Sequence, residues 1–348
     1  MYKFEINNVK KLYLFLVFAA IGLYGCKKNL PDDRLSLGAD SRFTQTFYQP
    51  VLGRTTVFIG NFNTASSSVP LNFKIVNMRR FNGEDAPELK DFFPVKVWKQ
   101  AYNGTETSLA EIEAKRTIEN HQLFEIREKA GQFVMWPEAK SDFVKAQPDS
   151  GYIFDVEVSN SGGRRYFQNF KLRPFKERPV EPSTLDASTG QDIFLGTNVI
   201  VSNIRGKRTN RFLTGSDVVS QFRRKPAGTP GNTGHSITFR FVDTLYNTID
   251  PNKFQATKWG EVVHGFDMVK TNTQVTYQVG YPIPLTNYPT KYTTLNGAAA
   301  SSIFRFDRIG TGNTLQEGQI ILTYQIHEPG DWEVIIWFRT EQPKFEND

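Results

Sequence analysis

Residue types able to do covalent or ionic chemistry are sparse in this chain of 348 residues, and their spacing narrows what they could do. Cys26 is the only cysteine, so no disulfide can form within the chain. It closes Leu23-Tyr24-Gly25-Cys26, which has the form of a lipobox: an apolar residue, a tolerated position, a small residue beside the cut, then a thiol to be acylated. That pattern predicts lipidation at Cys26 rather than nucleophilic catalysis. The four histidines, His121, His235, His264 and His327, are dispersed and show no metal-ligand spacing, so neither a metal nor a cofactor is expected. No G-x-S-x-G elbow or Walker loop is present. Gly310-Thr311-Gly312 matches a fragment of a dinucleotide loop, but no helix-forming segment follows, which makes it a hairpin turn. A carboxylate pair for glycoside hydrolysis meets in space, not in sequence, and among 36 acidic residues some pair always exists. No catalytic residue is therefore assigned, and the chain is expected not to be an enzyme.

The remaining chemistry is recognition by rings and hydrogen bonds. In Asp331–Arg339, strand parity puts Trp332, Val334, Ile336 and Phe338 on one apolar face, which should be core. Trp337 falls on the other face with Glu333, Ile335 and Arg339, and Trp98 shares a face with Lys96 opposite Val95 and Val97. A tryptophan on a polar face can stack on a sugar ring, unless a helix, a loop or the other domain covers it. Trp259 to Tyr292 is dense in rings and polar groups: Trp259, His264, Phe266, Asp267, Tyr277, Tyr281, Tyr288 and Tyr292. From these stretches Trp98, Trp259, Trp337, Asp267, Tyr281 and Tyr288 are the candidate ligand-binding residues; the alternative is a long loop capping a sandwich with its own aromatics. Asp243-Thr244-Leu245 matches a D-S/T-apolar O-glycosylation pattern and makes Thr244 a candidate modification site. Residues 205–225 carry Arg205, Lys207, Arg208, Arg211, Arg223, Arg224 and Lys225 against Asp217 alone. Such a field attracts acidic polymers, and an exported address argues against nucleic acid.

The elements that must position these residues are strands. The chain is 39% hydrophobic and 14% aromatic, which excludes global disorder and leans towards β-structure. Lys3, Lys10 and Lys11 precede a 14-residue uncharged apolar run, Leu12–Gly25. The run is short for a membrane span and right for a signal peptide. Residues 1–25 thus read as leader, and 26–50 as acylated Cys and flexible tether. Alternation at Leu71–Ile75, Phe93–Lys99 and Tyr152–Val158 predicts strands, with a hairpin turn at Ser159–Gly163. Ser108-Leu109-Ala110-Glu111 is a capping box that predicts one short helix over about 109–119, supported by a Glu111–Lys115 pair. Pro179 and Pro182 sit in a Ser/Thr/charge-rich stretch, 176–192, read as a linker. Strands then recur from Asn198 to Arg339 between Gly- and Pro-rich turns. The expected fold is mostly β: two β-sandwich (immunoglobulin-like) domains, 51–175 and 193–348, with one short helix in the first.

Several longer phrases carry a resemblance: Asn29–Asp33, Gln49–Arg54, Leu71–Asn77, Phe93–Trp98, Ala114–His121, Gln147–Arg164, Val263–Val269 and Tyr281–Leu285. Together they resemble a family of Bacteroidetes outer-membrane lipoproteins, the domain of unknown function 5007. The resemblance implies an outer-membrane lipoprotein encoded near starch-utilisation-type uptake systems, and it carries over no binding or catalytic residue. Lys27 and Lys28 come first after Cys26 and Asp32-Asp33 later, which leaves the periplasmic and cell-surface faces both open. The functional expectation is a non-catalytic envelope lipoprotein, held to the membrane through its N-terminal lipid and accessory to extracellular glycan binding or to an outer-membrane uptake complex. The alternative is a structural or adhesive module that binds a protein partner.

Overall fold

A computed structural model describes residues 35–348. The leader, Cys26 and residues 27–34 of the expected tether lie outside the described residues. The longer elements, in chain order, are β1 (Asn72–Arg80), α1 (Pro87–Lys90), β2 (Phe92–Trp98), α2 (Leu109–Ala114), β3 (Arg116–Gln122), β4 (Tyr152–Asn160) and β5 (Gly163–Leu172). They continue as β6 (Val218–Arg224), β7 (His235–Val242), β8 (Gly265–Lys270), β9 (Val275–Val279), β10 (Ala300–Gly310), β11 (Thr314–Ile326) and β12 (Gly330–Phe338). The chain is mostly β, as its composition and alternation predict.

The amino-terminal core lies between two sheets. One has the order Phe47–Tyr48, β5, β4, β1; the other joins Thr56–Phe58, Phe133–Met135 and Phe124–Ile126. Tyr152, Phe154, Val156 and Val158 of β4 all point into it, on the face that alternation predicts. Rings fill the space, with Phe124 stacked on Phe133 at 5.5 Å and Phe154 on Phe170 at 5.2 Å. Each fully buried ring of this size contributes about 1.5–3 kcal/mol. Asp155, on the opposite face of β4, accepts from Asn77 Nδ2 at 2.7 Å and the Asn169 amide at 2.8 Å, beside register shifts that place an extra residue in β1 and in β5.

Three expectations about this half need correcting. The expected tether does not run free up to residue 50. Phe43 and Tyr48 belong to the core, placed there by two-residue strands too short to leave a period in the sequence. The helix ends at Ala114, because Arg116–Gln122 pairs along its whole length with β2. Ser108 Oγ caps the Glu111 amide at 3.1 Å as predicted, but the Glu111 carboxylate turns back to the Thr107 amide at 2.8 Å and Lys115 goes to Glu106. A second helix, the single turn α1 with Pro87 at its start, was not expected; one turn is too short to show a hydrophobic period.

The carboxy-terminal core lies between a seven-stranded sheet and a smaller one. The large sheet runs Thr197–Asn198, β6, β12, β7, β9, β8, with Thr248–Ile249 also paired to β7. The smaller has β11 at its centre, β10 along one edge, and Val180–Glu181 and Ile200–Ser202 along the other. Trp332, Val334, Ile336 and Phe338 face inward against Phe304, Phe306, Ile320 and Leu322. Residues 176–192 are partly built into this sandwich, since Val180–Glu181 pairs with Gln325–Ile326 and the His327 amide donates to Pro179 O at 2.8 Å.

The two cores meet along a seam. The β2–α2–β3 excursion lays Trp98, Tyr102 and Ile112 against Leu285 and Phe266. Arg116 Nη1 donates to Tyr281 O at 2.8 Å, and Arg54 Nη2 pairs with Glu181 at 2.7 Å.

Candidate binding surface

The structure disperses the sequence-predicted site residues. Trp98 is half-buried in the seam, with the Arg116 guanidinium 4.3 Å from its ring and Tyr102 at 5.8 Å. Its polar-face parity is real, since Phe92, Pro94 and Lys96 on that face are exposed, but Tyr102 and Ile112 pack against the tryptophan itself. Trp259 is half-buried against Phe304, with Lys270 Nζ over the ring at 5.2 Å. Tyr281 is a core residue whose hydroxyl donates to Ser236 O at 3.0 Å, so it is not available to a ligand. Asp267 is exposed at a bulge in β8, and Tyr288 is exposed in a separate loop. Trp259, Asp267, Tyr281 and Tyr288 therefore form no common cleft.

What the 259–292 segment builds is a clasp. His264 Nε2 lies 2.9 Å from the Glu106 carbonyl, which can only accept, so Nε2 carries the proton. Nδ1 is then the acceptor for the Tyr102 hydroxyl at 2.6 Å. The ring stacks on Tyr292 at 4.7 Å and 4°. Burial pushes the His264 pKa below its ordinary value, and the Glu106 hydrogen bond opposes that only in part. Beside these residues and Pro282 and Pro284 lies a cavity of about 20 Å³, room for one water and not for a sugar.

The polar face of β12 fares differently. Trp337 sits between Val219 of β6 and Val242 of β7, on the side of the sheet away from the core. The turn after β7 folds over it. Asp243 anchors that turn by accepting from the Leu245 amide at 2.8 Å, the Asn247 amide at 2.9 Å and Gln342 Nε2 at 2.6 Å. Tyr246 there has φ +66°, a left-handed conformation that costs a bulky residue about 1–2 kcal/mol. Its ring lies 5.1 Å from Trp337 and is itself 38% exposed. Arg223 Nη2 donates to Gln221 Oε1 at 2.9 Å and lies 3.2 Å from the Tyr246 hydroxyl, which also bonds Gln221. Gln221 Nε2 donates to Leu195 O at 2.9 Å, and Arg240 pairs with Glu333 at 2.9 Å on the same face. Trp337 Nε1 is buried with no hydrogen-bond partner among the described residues.

Sequence reasoning reached Trp337 through strand parity and Arg223 as one of the basic residues of 205–225, but missed Tyr246 and Gln221 and did not join Arg223 to Trp337. Tyr246 sits in a turn with no period, and the two strand residues gain meaning only once β6 is known to lie beside β12. Thr244 is exposed at the tip of the same turn, while Asp243 beside it is buried. Next to the surface, Ile193, Phe194 and Leu195 are exposed, and Leu245 is 79% exposed. The basic stretch 205–225 is partly neutralised by partners distant in sequence: Lys207 by Glu346 and Arg224 by Glu328. Among the described residues no group of three or more His, Cys, Asp or Glu is placed to hold a metal ion, and no helix is long and apolar enough to cross a membrane.

Fold and surface together define a mostly β protein of sandwich type, with an aromatic and hydrogen-bonding patch on the outer face of its larger sheet. The chain belongs to the family described as Domain of unknown function (DUF5007), whose model matches residues 62–347. No curated protein matches the sequence. A solved structure titled "Sidekick-1 immunoglobulin domains 1-5" is similar at 8% identity and a TM-score of 0.18, over 88% of this chain and 38% of that one.

Proposed function

We propose that this protein is a non-catalytic, lipid-anchored lipoprotein of the Bacteroidetes outer membrane that binds extracellular glycan, as an accessory to glycan capture or nutrient uptake. The address rests on the Leu23–Cys26 pattern behind the apolar run and on the resemblance described above. The observation that carries the binding reading is the Tyr246–Trp337 pair. A tyrosine held in a costly backbone conformation keeps its ring over a tryptophan on the solvent side of a sheet, within a frame of amide and guanidinium groups. Rings offer a stacking surface, and the surrounding donors fix the orientation of hydroxyls. Trp337 Nε1 is buried without a hydrogen-bond partner among the described residues, so the stacking surface offered to a ligand is the exposed Tyr246 ring that Trp337 supports from beneath.

A polysaccharide affinity screen of the full chain in detergent, repeated with Trp337→Ala and Tyr246→Ala, tests the reading. One glycan class should bind the parent protein, and both folded variants should lose it by tenfold or more. Folded protein that binds no glycan overturns the reading.

A protein partner is the second reading. It is favoured by the exposed apolar run Ile193-Phe194-Leu195, which reaches the same face where Leu195 O accepts from Gln221 Nε2. Thr244 at the tip of the turn is the proposed glycosylation site; intact mass of the exported protein against Thr244→Ala reads it directly.

A further inference from the structure

The outer face of the seven-stranded sheet carries a charge imbalance. Arg223 and Arg240 lie on it, with Arg339 just past the end of β12, against Glu333, which pairs with Arg240 at 2.9 Å, and Asp331, whose carboxylate is taken by Thr233, Gly234 and Ser236. Arg223 donates to the neutral acceptor Gln221 Oε1, and its Cζ lies 5.8 Å from the centre of the Tyr246 ring. Arg339 Nη2 donates to Ser216 O at 3.2 Å. Among the described residues neither guanidinium has a carboxylate partner. The neighbouring Arg224, by contrast, points to Glu328, and Arg211 to Asp217. A guanidinium fixed through one nitrogen keeps its charge and most of its five donors, arranged in a fork that matches a carboxylate or sulfate.

We propose that the ligand of the Tyr246–Trp337 surface is an anionic glycan, with a carboxylate or sulfate received by Arg223 beside the stacked sugar ring. Arg339 adds to the field at the other end of Trp337. The inference rests on the glycan reading above and names the class of glycan. Charge-assisted hydrogen bonds to such a group are stronger than neutral ones and weaken with salt.

The test pairs each acid with its neutral counterpart: a galacturonic acid hexamer against its methyl ester, and a sulfated galactan oligosaccharide against its desulfated form. Titration calorimetry uses the full chain in detergent. At least one acidic probe should bind about tenfold or more tightly than its counterpart, and the arm that does so distinguishes carboxylate from sulfate. Arg223→Gln should remove that preference and Arg223→Lys should keep part of it, with far-ultraviolet circular dichroism confirming that both are folded. Equal affinity for acid and neutral probes, or a preference that survives both Arg223→Gln and Arg339→Gln, overturns the proposal. If neutral probes bind equally well and Trp337→Ala abolishes them, the glycan reading stands and its anionic refinement falls. If no probe binds, the anionic proposal falls, and the polysaccharide screen above decides the glycan reading.

Discussion

At the scale of single residues, His264 is held at both ring nitrogens. Its two ring nitrogens have fixed roles, because a carbonyl on one side must receive a proton and a hydroxyl on the other must give one. Tyr102→Phe leaves Nδ1 buried without a donor, and the expected cost is about 1–3 kcal/mol in a urea unfolding curve at pH 7. An unchanged midpoint would show that water replaces the hydroxyl. Trp332 and Trp337 mark how much of this scale a sequence holds. Their assignment to opposite faces follows from parity alone, and the core position of Trp332 was legible on that basis. Tyr281 was not, because a ring in a Pro-rich loop carries no period that separates inside from outside. Its burial depends on Ser236, 45 positions away, accepting its hydroxyl.

At the scale of elements, α2 is a helix that a stronger partner cuts short. The capping box starts it as the sequence predicts, and the β2–β3 hairpin ends it before the expected i,i+4 pair can form. Local signals report a start well, because a cap is made by neighbours in sequence. They report an end poorly when the next residues are claimed by a strand. Ser108→Ala removes the only side-chain cap of a six-residue helix and should cost about 1 kcal/mol. Because Ile112 of that helix lies in the seam, amide exchange should quicken in residues 99–115 more than in β4 or β5. Uniform quickening would mean that the helix does not open on its own. The two-residue strands at Phe43 and Tyr48 failed to register for a related reason: alternation needs about four residues before it differs from chance.

At the scale of the whole molecule, a buried histidine, His264, and a half-buried one, His327, lie near where the cores meet. Burial pushes His327 down to about 3, with the Arg54 and Arg178 charges adding to the effect, and burial likewise lowers His264. A histidine whose folded pKa is depressed stays neutral while the unfolded chain takes a proton below about pH 6.5. Stability is therefore complete above that pH and is lost as pH falls towards the folded value, by about 1.4 kcal/mol per unit for His327. Carboxylates such as Asp217, which the Arg211 guanidinium holds well below the usual range, add their loss only below about pH 4. The urea midpoint should thus fall between pH 6.5 and 4.5, and the fall should be shallower in His327→Gln. A pH-independent midpoint across that window would show that neither imidazole is shielded from protons.

The seam also decides how the molecule carries load. If the proposed lipid holds one end and the proposed glycan the outer face of the seven-stranded sheet, tension would pass from the first core to the second. Besides the peptide backbone of residues 176–192, the paths are Arg54 to Glu181, Arg116 to the Tyr281 carbonyl, and Tyr102 through His264. These side-chain links act in parallel, and each is short and stiff compared with a free linker. Under that loading a pull on the ligand would reach both cores at once, and the two halves would act as one tie rather than as beads on a string.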